Sequence, residues 1–380
     1  MRREASRPRM DWWRIIEDQG VVAGAPGGRP RWDESAHYVL EPGEVESLRA
    51  DTELLHSMCL EAVDTVITTE RFSDFGVPEW VWPAIVESWK RRDPQLCGRF
   101  DLRYDGSGPA KLLEYDADTP RGLVEAAVAQ WWWRATVFPN GSQWNDIHQR
   151  LTERWTELVR QLPTPSVHFT WSGADPTGAD RSVISYLGDV AADVGCDAVA
   201  LAIEDVGWDK ALNRFVDLEN EPIGTIAKLY PWEWLVGDRF GQRAIDALPD
   251  TLWIEPLWKS LLSNKALLAV LWEMHPGHPN LLPTYLDQPG MLTEYVRKPK
   301  LGRDGANIEI VAPGYETHTG GVYGREGQVC QLFDPLPEFD GRRPVIGVWM
   351  VGDHAAGLGI QESGLVTDEN SVFVPHRVES

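Results

Sequence analysis

The chain has 380 residues, 43% of them hydrophobic, and a formal net charge of −22 from 58 acidic and 36 basic residues; this length suggests two or three closely packed subdomains rather than one core. The charge argues against nucleic acid and anionic membrane as partners and leaves room for a cationic one. With no run of about 18 apolar residues and no signal-type leader, no membrane span is expected, and four dispersed cysteines (Cys59, Cys97, Cys196, Cys330) suggest neither a zinc site nor a disulfide framework, so the expected location is cytoplasmic.

Residues 1–45 are rich in Gly, Pro and Arg after a short amphipathic piece, and Gly24-Ala25-Pro26-Gly27-Gly28 reads as a loop. Helical periodicity follows over Val45 to Thr68 and over Pro78 to Lys90. A β-hairpin is predicted next. Phe100 to Tyr104 and Lys111 to Tyr115 alternate apolar and polar residues around a cluster of turn formers at 105–110. If Tyr104 pairs with Lys111, Asp101 lies opposite Glu114 and Arg99 opposite Asp116.

Three carboxylates on one face repel one another, by about 4 kcal/mol per pair at roughly 4 Å and an effective dielectric near 20. Arg99 can neutralise one, and an oxygen-only set favours Mg²⁺ over Zn²⁺ for the others. The competing reading is a solvated hairpin with scattered acids. Thr119 and Pro120 then read as N-cap and first turn of a helix running from Gly122 to Arg134, whose start could hold an anionic group.

Asn145 to Leu162 is an expected amphipathic helix. Val167 to Trp171, Arg181 to Val194 and Ala198 to Ile203 read as strand, helix and strand of a small parallel α/β unit, with a further strand at Gly224 to Leu229. A helix over Ala266 to Met274 ends at His275-Pro276-Gly277-His278-Pro279, whose prolines keep the two histidines from sitting one helical turn apart, so this is read as a helix stop. Strands are expected at Glu294 to Pro299 and Asn307 to Val311, around the loop Leu301 to Ala306, and at Val329 to Phe333, Val345 to Val351 and Ala356 to Ile360.

Lys265 near a helix start and Lys298 before the 301–306 loop could bind phosphates together with loop N–H groups. No G-x-x-x-x-G-K motif is present, so this is not a P-loop. Taken singly, an exposed surface position is the commoner fate of a lysine. Backbone groups of Gln331-Leu332-Phe333-Asp334 could hold an adenine edge, although a plain strand-to-loop junction fits the same residues.

Several motifs together resemble the glutathionylspermidine synthase family: Arg99-Phe100-Asp101, Leu112 to Thr119, Glu125 to Trp131, Ser263-Asn264-Lys265, Tyr295 to Pro299, Pro335 to Gly341 and Phe373 to His376. The resemblance covers the synthetase part; nothing resembles the amidase domain that some members carry in front. It implies an α+β, ATP-grasp-like fold with a preceding α/β substrate domain and a C-terminal antiparallel sheet region. The expected segments are a helical region at 1–98, the metal-binding hairpin and α/β substrate region at 99–250, and the nucleotide-binding region at 251–380.

The resemblance also implies ATP-dependent ligation of a small-molecule or peptide carboxylate to an amine, such as a polyamine, through an acyl phosphate. Asp101, Glu114 and Asp116 would hold two Mg²⁺. Arg99 would be catalytic and would contact ATP, along with Asp101, Lys265 and Lys298. Gln331, Leu332, Phe333 and Asp334 would form the adenine hinge, and Thr119 and Asp180 would meet the acid substrate. Asp116 stands where Asn is usual. Gln361 occupies a phosphate-contact position where Arg is usual, so another cation such as Arg303 would have to substitute. Only Asp180 remains of an acidic pair expected to receive a peptide, which counts against glutathione itself. Two other classes are carried as rivals. Gln361 motivates a nucleotide-binding, catalytically weak partner protein, and nineteen tryptophans with paired acids motivate a sugar-active hydrolase.

Overall fold

The expected hairpin forms, and it lies at one edge of a five-stranded antiparallel sheet. In the computed structural model, which describes residues 1–22, 31–368 and 370–379, its strands are Cys97–Arg103 and Lys111–Asp116. The loop read at 24–28 lies outside the described residues. The 97–103 strand pairs with Arg343–Val351, which pairs in turn with His354–Ser363, and that strand with Val372–Val374. Val345, Ile346, Val348, Trp349 and Met350 are all buried, as a central strand covered on both faces requires. One sheet therefore unites the hairpin with strands some 230 residues later in the chain.

The register places Arg99 opposite Asp116 and Asp101 opposite Glu114, as expected. Tyr104 does not pair with Lys111, however. The ladder slips by one residue, so that Leu102 faces Leu112 and Arg103 faces Lys111, with Leu113 left over in a bulge. Side chains alternate faces along a strand, so an unbroken ladder would point Leu112 the same way as Glu114. The bulge lets Leu112 join Leu102 in the core, both fully buried, while Glu114 keeps facing the acids.

The chain after the hairpin departs from expectation. The helix begins at 123 rather than Thr119, passes through a π-helical turn at Glu125–Ala129 and continues as Gln130–Val137. Gly122 has φ +85°, a left-handed conformation that a helix cannot accommodate, so Thr119 and Pro120 lie in an irregular turn ahead of it.

Two further sheets complete the site. Leu252–Ile254, Thr225–Leu229, Ser166–Trp171 and Asp197–Ala202 form a parallel sheet in that order, and helix Ala179–Asp193 connects its last two strands, the α/β unit read from the sequence. Thr284–Leu286, Gln328–Leu332, Tyr295–Pro299, Glu309–Val311 and Thr317–His318 form an antiparallel sheet that carries Lys298 and Gln331. The long helix Pro42–Thr68 starts three residues before the expected Val45. Glu41 and Glu44 form a capping box there, and Pro42 sits in the first turn. Among the described residues no helix is long and apolar enough to cross a membrane.

Near its end the chain returns to its beginning. His376–Val378 pairs parallel with Ala36–Leu40, which pairs with Arg2–Ala5. The His376 imidazole is fully buried against Gln130 (Nδ1 to Oε1, 2.8 Å), and Gln130 Nε2 donates to Ala126 O and Leu358 O, both at 2.6 Å. Burial lowers the imidazole to about 3. An unfolded histidine titrates near 6.5, so between these values the unfolded chain binds a proton that the fold excludes. Stability is then complete above about pH 6.5 and is lost toward pH 3. Moving from pH 7 to 5.5 is expected to cost the wild type about 1 kcal/mol more than a His376→Asn variant, measured by urea unfolding at both pH values.

Candidate functional site

Alternation along the 97–103 strand puts Arg99 and Asp101 on one face, and the partner strand adds Glu114 and Asp116. All four line a cavity of about 230 Å³, together with Lys265 and Lys298. The Arg99 guanidinium grips Asp101 with two bonds, Nε to Oδ1 at 2.6 Å and Nη2 to Oδ2 at 2.8 Å. Gly347 stands opposite Asp101 and makes room for that guanidinium: a Cβ there would lie 3.0 Å from Arg99 Cδ.

Lys265 Nζ lies 2.9 Å from Glu114 Oε2 and donates to the carbonyl of Gly302 at 2.7 Å. Lys298 Nζ donates to Gln331 Oε1 (2.7 Å) and to the bulged Leu113 carbonyl (3.1 Å), while Gln331 Nε2 donates to Leu112 O (3.1 Å). The bulge thus turns two carbonyls toward the sheet that carries Lys298 and Gln331. Burial pushes the Asp101 carboxyl up to about 6 despite Arg99. Burial also raises Glu114, but Lys265, Lys298 and Arg99 outweigh it and hold the group down at about 2. Burial lowers the Lys298 ammonium to about 8 against the pull of Glu114. Neighbouring carboxylates are thereby driven apart in proton affinity.

The other end of the cavity is built around arginines. Arg303, from the 301–306 loop, donates from Nη2 to Thr119 Oγ1 (2.6 Å), lies 3.5 Å from Glu233 and stacks 5.5 Å from the Trp234 ring centre. The Thr119 hydroxyl therefore serves a distant loop instead of capping a helix. Arg121 pairs with Asp180 (Nε to Oδ1, 2.9 Å) and touches Asp304 (3.2 Å), and its carbonyl accepts a bond from Arg99 Nη1. Beneath them Asp118 is fully buried. It accepts from Lys228 Nζ at 2.5 Å and from the Trp232 N–H at 2.8 Å, while its own N–H donates to Ser263 Oγ at 2.7 Å.

The fold therefore brings Arg99, Asp101, Glu114, Asp116, Lys265 and Lys298 together, and Phe333, Asp334 and Gln361 line the same cavity. Gln331 sits behind Lys298. Leu332 turns its N–H to Pro283 O (2.7 Å) within the sheet, and Asp334 lies 3.3 Å from Arg103. Thr119 and Asp180 reach the cavity through Arg303 and Arg121. Local sequence patterns left Arg121, Glu233 and the Asp118–Lys228 pair unremarked. The one available signal for Arg121 was a cation directly after the Thr119-Pro120 turn.

Among the described residues no group of three or more His, Cys, Asp or Glu is arranged to hold a metal ion; Asp101 and Glu114 are turned to cations, and Asp116 accepts from the Thr119 N–H. Their chemistry still fits magnesium: three carboxylates on one wall offer oxygen only, and no nitrogen or sulfur ligand accompanies them.

A family model described as glutathionylspermidine synthase pre-ATP-grasp matches residues 3–379. The chain is 39% identical over 364 residues to a Haemophilus influenzae protein provisionally named acid–amine ligase, covering 92% of this chain and 91% of that one. It is 30% identical over 357 residues to the trypanothione synthetase of Crithidia fasciculata, covering 86% of this chain and 54% of that one. It is 28% identical over 370 residues to the bifunctional glutathionylspermidine synthetase/amidase of Escherichia coli, covering 89% and 59%. The chain thus spans little more than half the length of those last two. Among solved structures, a glutathione synthetase-like effector from Globodera pallida in its apo form aligns over 98% of both chains with a TM-score of 0.56. At 11% identity that likeness concerns the fold alone.

The turn that delivers Thr119 and Arg121 depends on Gly122. A Cβ there would approach Phe373 Cζ to 2.2 Å, on a backbone with φ +85°. Gly122→Ala is expected to destabilise the chain by about 2 kcal/mol or more in urea unfolding. A Gly122→Ala/Phe373→Ala pair should be destabilised by less than the sum of the two single changes, because the clash is then gone.

Proposed function

The chain belongs to the glutathionylspermidine synthase family of ATP-grasp C–N ligases, and on that premise we propose that it condenses a carboxylate with an amine through an acyl phosphate, with ATP as phosphoryl donor. The observation that carries this reading is the meeting of three carboxylates, Arg99 and two lysines in one cavity beneath the 301–306 loop. Lys265, Lys298 and the loop N–H groups take the triphosphate. Asp101, Glu114 and Asp116 would hold two Mg²⁺, which would supply charge neutralisation for the phosphates.

Arg99, which pairs with Asp101, would be free to stabilise the charge of the transferring phosphoryl group once Asp101 served a metal. A carboxylate oxygen of the acid attacks the γ-phosphorus, the bond to the β-phosphate breaks, and ADP leaves as the acyl phosphate forms. The amine then attacks the acyl carbon, inorganic phosphate leaves, and the ammonium nitrogen loses its proton to give the amide. The Lys298 ammonium, with its lowered proton affinity, stays next to Glu114 and so remains cationic for phosphate.

Gln361 lines the cavity as a neutral side chain, and Arg303, which lines it too, is the guanidinium suited to take over its phosphate contact. An acid and an amine such as a polyamine form the proposed substrate pair. The four cysteines are free and buried, which suits the reducing cytoplasm proposed as its location. The sugar-hydrolase alternative loses support: five tryptophans are exposed, but none of them lines the cavity that gathers the carboxylates.

Two measurements test the reading. Isothermal titration with a non-hydrolysable ATP analogue is expected to show affinity that rises at least tenfold with Mg²⁺, and this rise should vanish in Asp101→Asn and Glu114→Gln. Arg99→Ala is expected to lower kcat for amide formation by about 10²–10³-fold while analogue binding changes by less than about threefold. Analogue binding indifferent to Mg²⁺ would reject the metal assignment.

A further inference from the structure

The acid-binding end of the cavity contains an ion pair that a ligand would otherwise occupy. Asp180 is the acid that the family resemblance sets toward the acid substrate. It is already neutralised by the chain's own Arg121, with Nε 2.9 Å from Oδ1 and Nη2 3.2 Å from Oδ2. The Asp180 side chain is only 7% exposed, whereas Arg121 is 33% exposed, so the carboxylate is buried beneath a guanidinium that still reaches the cavity. The remaining Arg121 contact, to Asp304, involves a carboxylate that is 55% exposed and readily exchanged for a ligand.

Arg31 stands beside Arg121. Both line the main cavity and also a small adjoining one that reaches Gly122 and Glu125. Arg31 Nε is buried without a hydrogen-bond partner among the described residues. The carboxyl nearest in charge, Glu125, is pushed up by burial, so its countercharge is weakened. This corner presents the Arg31 and Arg121 guanidinium groups to the cavity, while the neighbouring Asp180 and Asp304 carboxylates both pair with Arg121.

We propose, building on the ligase reading above, that the acid is compact and carries a second anionic group but no ammonium, such as a di- or tricarboxylate. Arg121, steadied by Asp180, and Arg31 hold the second anion by charge-assisted bonds. The reacting carboxylate is thereby directed toward Arg99, whose Nη1 already donates to the Arg121 carbonyl. A zwitterionic tripeptide such as glutathione would bring its ammonium against Arg121, and Asp180 could bind that ammonium only by giving up its present partner.

Binding of succinate, citrate, glutathione and butyrate to the full chain is measured by isothermal titration with Mg²⁺ and a non-hydrolysable ATP analogue present. The expected order puts succinate or citrate at least tenfold tighter than both glutathione and butyrate. In Arg121→Ser this advantage falls at least tenfold, Arg121→Lys restores part of it, and analogue binding stays intact as proof of folding. Glutathione binding as tightly as the better di- or tricarboxylate, or an advantage unchanged in Arg121→Ser, would overturn the proposal. The binding order does not depend on turnover. Failure to detect amide product by mass spectrometry with any amine would therefore count against the ligase reading alone.

Discussion

Everything in the cavity depends on how its buried carboxylates are neutralised. Asp101 and Glu114 face each other across the hairpin, and without counterions their repulsion would push the strands apart. Arg99 and Lys265 hold them. These cations are also the groups that a triphosphate attracts. On the proposed reading, magnesium would take over the carboxylates of Asp101 and Glu114 and leave Arg99 and Lys265 to the phosphates, which would keep the buried charge balanced as a site lined by acids alone could not.

The second constraint is positional. Asp118 sits two residues beyond Asp116 and is tied to Lys228 in the parallel sheet, to Trp232 at the start of the helix Trp232–Gly237, and to Ser263 ahead of Lys265. That buried anchor joins three parts of the chain at one point. Glu233 and Trp234 follow directly from Trp232 and meet Arg303, which reaches back to Thr119, the residue after Asp118. The 301–306 loop, the 119–121 turn and the α/β unit are therefore linked in a closed circuit. A shift of the loop would be felt at Thr119 through Arg303.

The sequence made the metal wall legible because strand alternation is a local property. Arg99, Asp101, Glu114 and Asp116 were placed correctly from spacing alone. The Leu113 bulge was not legible, since adjacent leucines fit either an unbroken or a slipped ladder, and the choice falls to core packing of Leu102 against Leu112. Thr119 and Pro120 carried a helix-start signature that Gly122 and Arg303 overrode, the latter from 184 residues away. Similarly, nothing near Arg121 announced Asp180, 59 residues on, as its partner. Contacts set by long-range topology left no local pattern to read. The motif resemblance supplied the fold, and comparison with known proteins bears that out.

A crystal grown with Mn²⁺ and a non-hydrolysable ATP analogue tests the exchange of counterions most directly. Anomalous density is expected within about 2.2 Å of oxygens from Asp101, Glu114 and Asp116, with Arg99 turned from Asp101 toward the γ-phosphate. Bound analogue with Arg99 still clamped on Asp101, and no anomalous peak on that wall, would contradict the account.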